Sequence, residues 1–210
     1  MTTLITGANR GIGLALLERL PGALGTSRQG DAPFHPLDVT DPDSISRLAN
    51  SLDRQSIELL VCNAGVYLDK GVALADYTAE MANQTFAANI TGVLLTVQAL
   101  LPHLKRAEAP KIAIIASRMG SQEIAWGGSL IYRASKAAAI NLTRNLAVDL
   151  KEDGIAVGAY HPGWVRTDMG GSSADVSVED SADGLVQRFR ELDMASTGCF
   201  RQFDGADLPL

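Results

Sequence analysis

Seven short apolar runs, mostly separated by longer amphipathic ones, constrain this chain more than any other feature. The runs "TTLIT" (2–6), "ALGTS" (23–27), "FHPLDV" (34–39), "IELLVCN" (57–63), "KIAIIAS" (111–117), "IAVGAY" (155–160) and "GCFRQF" (198–203) read as strands. Helical patterns fill 12–20, 43–54, 78–106, 132–152 and 177–193, with start signals such as the proline of "TDPDS" (40–44) near a first turn. Strand–helix alternation of this kind implies a parallel sheet covered on both faces. One connection does not fit. Only the six residues "RQGDAP" (28–33) separate the second and third strands, where a parallel crossover needs roughly a dozen or more. Either an irregular loop replaces the usual helix there, or the third strand is very short.

The 210 residues suit one domain, 1–210, with no repeat or linker. A net charge of −6 argues against nucleic acid or an anionic membrane as a partner. The longest apolar region, 86–101, is interrupted by Asn89, Thr91, Thr96 and Gln98 and reads as too polar to span a bilayer. The start "MTTLITG" runs straight into a strand, leaving no room for a signal peptide. The two cysteines, Cys62 and Cys199, lie in apolar stretches without metal-ligand spacing, so no metal site is expected. These features point to a cytoplasmic protein.

The first strand ends in "TGANRGIG" (6–13), placing Gly7, Gly11 and Gly13 at a strand-to-helix turn. Glycines there allow a tight turn and close approach to a phosphate, and the helix start beyond them offers free N–H groups to a pyrophosphate. The spacing differs from the usual dinucleotide fingerprint, and a ligand-free turn is the competing reading. The second strand ends at Ser27 and Arg28 with no acid at its tip, and Arg10 lies in the glycine loop. Two arginines without an acid favour NADP(H) over NAD(H), which stays open; two solvated arginines are the alternative. "LDV" (37–39) and "CNAG" (62–65) end the third and fourth strands. Asp38 could accept from an adenine amine, while Asn63, Ala64 and Gly65 offer an adaptable side chain and open backbone; ordinary turn chemistry is the competing reading of each segment alone. Asn89, in the apolar "FAANITGVLL", is either a satisfied core amide or distortion, or part of a relay toward Lys136. Ser117 closes the fifth strand, and no G-x-S-x-G elbow makes it a hydrolase nucleophile. In "IYRASKAAAI" (131–140), Tyr132 and Lys136 stand four apart on one helix face.

Taken in order, "TGANRGIG", "CNAG", "AANITG", "ASRMG", "YRASK" and "HPGWVRTDMG" resemble the short-chain dehydrogenases/reductases, over residues 2 to about 205. "HPGWVRTDMGG" and "GCFRQFDGADLP" are similar to the branch holding carbonyl reductases, sniffer-like reductases and C-factor-like proteins. The resemblance implies a Rossmann-type domain with strand order 3-2-1-4-5-6-7 and an NADP(H)-dependent oxidoreductase acting on a small carbonyl or alcohol. It implies that Tyr132 is the general acid/base, that Lys136 lowers its pKa and binds the nicotinamide ribose, that Ser117 orients the carbonyl, and that Asn89 holds a water. It also implies that Gly7, Asn9, Arg10, Gly11, Ile12 and Gly13 carry the pyrophosphate and adenosine side, and that Pro162, Gly163, Val165 and Thr167 meet the nicotinamide. Lowering a tyrosine from about 10 by roughly three units takes about 4 kcal/mol, attainable from two close positive charges.

The alternative is a C-factor-like regulatory protein that binds NADP(H) without needing turnover. The family also implies a homodimer or homotetramer built on helices 78–106 and 132–152. Three departures stand out: Ala116 replaces a common second serine, the 28–33 link is short, and a brief 170–197 segment suggests an open cleft. Trp126 and Trp164 either line that cleft or close the core.

Overall fold

The strands alternate their side chains between two helical layers. In the computed structural model, which describes residues 2–210, β1 (Thr3–Ile5), β2 (Leu24–Ser27), β3 (His35–Pro36), β4 (Leu59–Cys62), β5 (Lys111–Ile115), β6 (Ala156–His161) and β7 (Phe200–Gln202) form one sheet. Its order is β3-β2-β1-β4-β5-β6-β7, and all its strand pairs are parallel. Leu4, Leu60 and Ile112 point into one core beneath α2 (Pro42–Ser51), α4 (Gly92–Leu104) and α5 (Leu130–Asp149). Ile5, Val61 and Ala113, one residue on, enter the other core beneath α1 (Gly11–Arg19) and α6 (Val178–Glu191). The chain is thus a doubly wound Rossmann-type sheet. Its order reverses at β1, which opens a crevice beyond the carboxyl ends of β1 and β4.

The awkward connection resolves both ways at once. Residues 28–34 form an irregular link, and β3 shrinks from the expected 34–39 to two residues. Pro36 stands on the edge strand, where its missing N–H is tolerated but cannot extend the ladder. The expected helix 78–106 comprises α3 (Ala79–Phe86), a π-helical turn at Ala87–Thr91, and α4. By length and apolar character, 79–104 is enough to cross a membrane, contrary to the reading of 86–101 as too polar. Here Val93, Val97, Leu100 and Leu104 are buried against the sheet, the place of a core helix. Helix α5 begins two residues earlier than the 132–152 pattern suggested.

Candidate active site

Beyond β1, Gly7 and Gly11 adopt φ of +65° and +54°, and α1 starts at Gly11. Asp41, Thr78 and Ser177 cap α2, α3 and α6 with side-chain oxygens. Helix α1 has no such cap and no acid in its first turn. Its leading N–H groups are therefore uncommitted at the positive end of the helix dipole, which suits a pyrophosphate. Gly13 packs too tightly for a side chain: a Cβ would lie 2.3 Å from the Gly7 carbonyl oxygen and 2.6 Å from Asn63 Nδ2. Asn63 braces this loop by donating to the carbonyls of Thr6 (3.0 Å) and Gly7 (2.9 Å), so its amide serves the loop's shape. The Thr6 hydroxyl accepts from the N–H groups of Asn63 and Ala64, tying β4 to the same turn.

The adenosine side is looser. Asn9 is exposed, and Arg10 is paired with Asp168 at 2.8 Å rather than left free for a 2′-phosphate. Both partners are mostly exposed, so the pair is worth only about 0–1 kcal/mol and gives way readily. Ser27 is buried and accepts from Gly30 N–H, while Arg28 is exposed, with no side-chain partner among the described residues. Hydrogen bonds from the Thr40 hydroxyl and N–H hold the Asp38 carboxyl below its ordinary range, aided by the Arg28 charge. Val39 is half-buried behind them. No acid stands at the tip of β2, so the chain's own groups fit a phosphorylated ribose.

The second half of the site is built where β5 meets α5. Ser117, two residues beyond the end of β5, is buried and accepts from Met119 N–H at 3.2 Å to start a 3₁₀ turn, Arg118–Gly120. Gly120 lets that turn lie directly on the α5 backbone, since a Cβ there would be 2.4 Å from the Lys136 carbonyl carbon. This contact brings Ser117 and Tyr132 together on the wall of one cavity, close enough for the Ser117 hydroxyl to favour the tyrosinate. Lys136 donates to the Ile115 carbonyl at 2.8 Å, and its Nζ stands 5.7 Å from the Tyr132 ring centroid. The ammonium has three protons and one protein acceptor, leaving two for ribose hydroxyls.

Burial pushes the Tyr132 phenol well above its ordinary value; the Ser117 hydroxyl works against this, and the charges of Tyr67 and Asp69 add to it. Burial also draws Lys136 down to about 8. The expected lowering of Tyr132 by Lys136 is thus not supplied by the chain alone, because desolvation outweighs an ammonium held toward a backbone carbonyl. The phenol is instead kept proton-loaded at neutral pH, the state a proton donor requires. Asn89, 2% exposed in the π turn, accepts from Val66 N–H and donates to the Val66 carbonyl and the Ser135 hydroxyl. Both amide protons are spent, so the side chain locks the Gly65–Tyr67 segment to α5 rather than offering a donor to water.

Several residues that shape the site were not singled out from the sequence. Ser129, in the cap position of α5, has φ of +50° and makes no side-chain cap. The loop after β4 caps the helix instead. Tyr77 Oη accepts from Leu130 N–H, and the fully buried Asp69 carboxylate accepts from Ile131 and Tyr132 N–H. Tyr67 stacks on Tyr132 with centroids 4.0 Å apart. The available signal was the cluster "YLDK" (67–70), one residue after "CNAG" (62–65), at the carboxyl edge of the sheet.

A cavity of about 380 Å³ opens onto Ser117 and Tyr132. Ile12, Pro162, Gly163, Val165 and Thr167 form part of its wall, and Trp126 and Trp164 both line it. The brief 170–197 segment does not leave it wholly open. Lys70 donates to the carbonyls of Met169 and Gly170, clasping that loop across the cleft.

The sequence profile of the short chain dehydrogenases matches residues 17–177, starting inside α1 and including Ser117, Tyr132 and Lys136. The solved NADPH-bound carbonyl reductase from chicken fatty liver superposes with a TM-score of 0.92 at 32% identity, covering 100% of this chain and 98% of that one. Carbonyl reductase Sniffer of D. melanogaster gives 0.90 at 29% identity, covering 100% and 99%. The protein C-signal of Myxococcus xanthus is 37% identical over 155 residues, 73% of this chain and 92% of its own length.

Proposed function

The chain belongs to the short chain dehydrogenase family, and on that premise we propose that it is an NADPH-dependent reductase of aldehydes or ketones, running in reverse as an alcohol dehydrogenase. The observation that carries this is the convergence of a buried Tyr132 and Ser117 on the wall of an apolar cleft with the buried Lys136 ammonium beside the Tyr132 ring. When bound, NADPH supplies the reducing equivalent. The chain does the rest. Ser117 orients the carbonyl oxygen, and Tyr132 delivers its proton there as negative charge develops on that oxygen. The buried Lys136 cation stabilises the tyrosinate left behind and has two protons for the nicotinamide ribose. Arg28 and, once freed from Asp168, Arg10 would hold the 2′-phosphate, with NAD(H) the weaker cofactor.

The whole of 1–210 would act as one unit, a cytoplasmic homodimer or homotetramer with no nucleic acid or membrane partner. The test is loss of reduced-nicotinamide absorbance with aromatic aldehydes, diketones, quinones and a ketosteroid, run with NADPH, NADH and a Tyr132→Phe control. Turnover with NADPH that collapses in the variant is the expected result. The resemblance to C-signal supports a second reading, a regulatory protein that binds NADP(H) without needing turnover. A biological effect that survives Tyr132→Phe would favour it.

A further inference from the structure

We propose that the cleft selects carbonyl compounds carrying a carboxylate on a flat apolar body, and that Arg118 is the residue that recognises the carboxylate. The inference rests on the reductase reading above and narrows its substrate class. The cleft is walled by aromatic faces, and no aspartate or glutamate lines it in a protein whose net charge is −6. Its two cations differ. Lys70 is spent on the Met169 and Gly170 carbonyls. Arg118, next in the chain to Ser117 and half-buried, has no ion pair and no side-chain hydrogen bond among the described residues. Its guanidinium lies over the Trp126 ring, 5.3 Å from the centroid.

Nearby arginines are not left this way: Arg133 donates to the Gly128 carbonyl and Arg166 to that of Ala174. A guanidinium stacked on an aromatic face keeps its N–H edge free, and that fork matches a planar carboxylate. One unpaired cation balances a monoanion, which favours a carboxylate over a doubly charged phosphate monoester. A second group in the same cleft also lacks a partner. His161 is 5% exposed, lines the cleft, and its buried Nδ1 makes no hydrogen bond.

The test compares para-formylbenzoate with its uncharged methyl ester as NADPH-dependent substrates of the wild type, Arg118→Gln and Arg118→Lys. Wild type should prefer the acid by about tenfold or more in kcat/KM, the scale of a charge-assisted hydrogen bond, chiefly through KM. Arg118→Gln should abolish that preference, and Arg118→Lys, which keeps the charge but not the fork, should retain part of it. Equal use of both compounds by wild type would overturn the proposal. So would an Arg118→Gln variant that slows both alike or raises the KM for NADPH. If wild type reduces neither, the reductase reading is what fails. Quenching of the tryptophan emission on titration with each compound then decides the anion site, and equal binding of acid and ester overturns it.

Discussion

Asp69 provides the sharpest test of how the site is held together. The first three N–H groups of α5 have no acceptor within their own helix; Tyr77 takes one, and Asp69 takes those of Ile131 and Tyr132. Replacing Asp69 with alanine removes a cap, a loss of about 1–2 kcal/mol. It also strands N–H groups in a region where Tyr132 is 8% exposed, adding about 1–3 kcal/mol for an unsatisfied buried donor. A total near 3 kcal/mol should lower the urea midpoint by about 1 M, for a denaturant slope of about 1–3 kcal/mol/M. Because Tyr132 is the third residue of α5, fraying there displaces the phenol, and kcat should fall by about a hundredfold for an ångström of misplacement.

Asp69→Asn keeps an acceptor and should lose only about 1 kcal/mol of charge–dipole stabilisation. Its distinctive effect is electrostatic. The Asp69 charge adds to the rise in the Tyr132 pKa, so its removal should ease the phenol's ionisation while the alkaline limb of the rate, set by Lys136, stays in place. An Asp69→Ala variant with an unchanged midpoint and a kcat within about twofold of wild type would refute the trans-capping argument, since both figures follow from the same two hydrogen bonds.

Gly120→Ala forces a Cβ to within 2.4 Å of the α5 backbone, so it should destabilise by about 3 kcal/mol or more in urea melts and lower kcat by separating Ser117 from Tyr132. His161 is held neutral by burial and then by the Arg118 charge, to about 4 from an ordinary 6.5. The unfolded chain therefore binds the extra proton first, and stability should fall as pH drops from 6.5 to 4, by about 3 kcal/mol in full. Urea titrations of His161→Gln across that window should show the smaller decline. Burial holds Lys136 at about 8, so kcat/KM should fall above that pH as the ammonium is lost. A Lys136→Arg variant, slower but permanently charged, should lack that limb in a pH–rate profile.

By itself, the sequence determined the parallel sheet covered on both faces, while its strand order came from the family resemblance and was borne out by the structure. Alternating apolar runs with helical spacing between them admit few other packings, and both periodicities are local. It also placed the glycine loop and Ser117 just beyond strand ends and Tyr132 and Lys136 in the first two turns of one helix, as the structure has them. What it could not decide depended on distant partners. The start of α5 was misplaced because its caps, Tyr77 and Asp69, lie more than fifty residues away and leave no signal beside Ser129. Asn63 and Arg10 were each read as facing a cofactor, with turn chemistry and a solvated surface arginine as the alternatives. The packing instead gives the Asn63 amide to the glycine-loop carbonyls and the Arg10 guanidinium to Asp168. A hydrogen-bonding side chain takes whichever partner the fold brings within about 3 Å, and that choice is made only when the loops beyond β1, β4 and β6 come together.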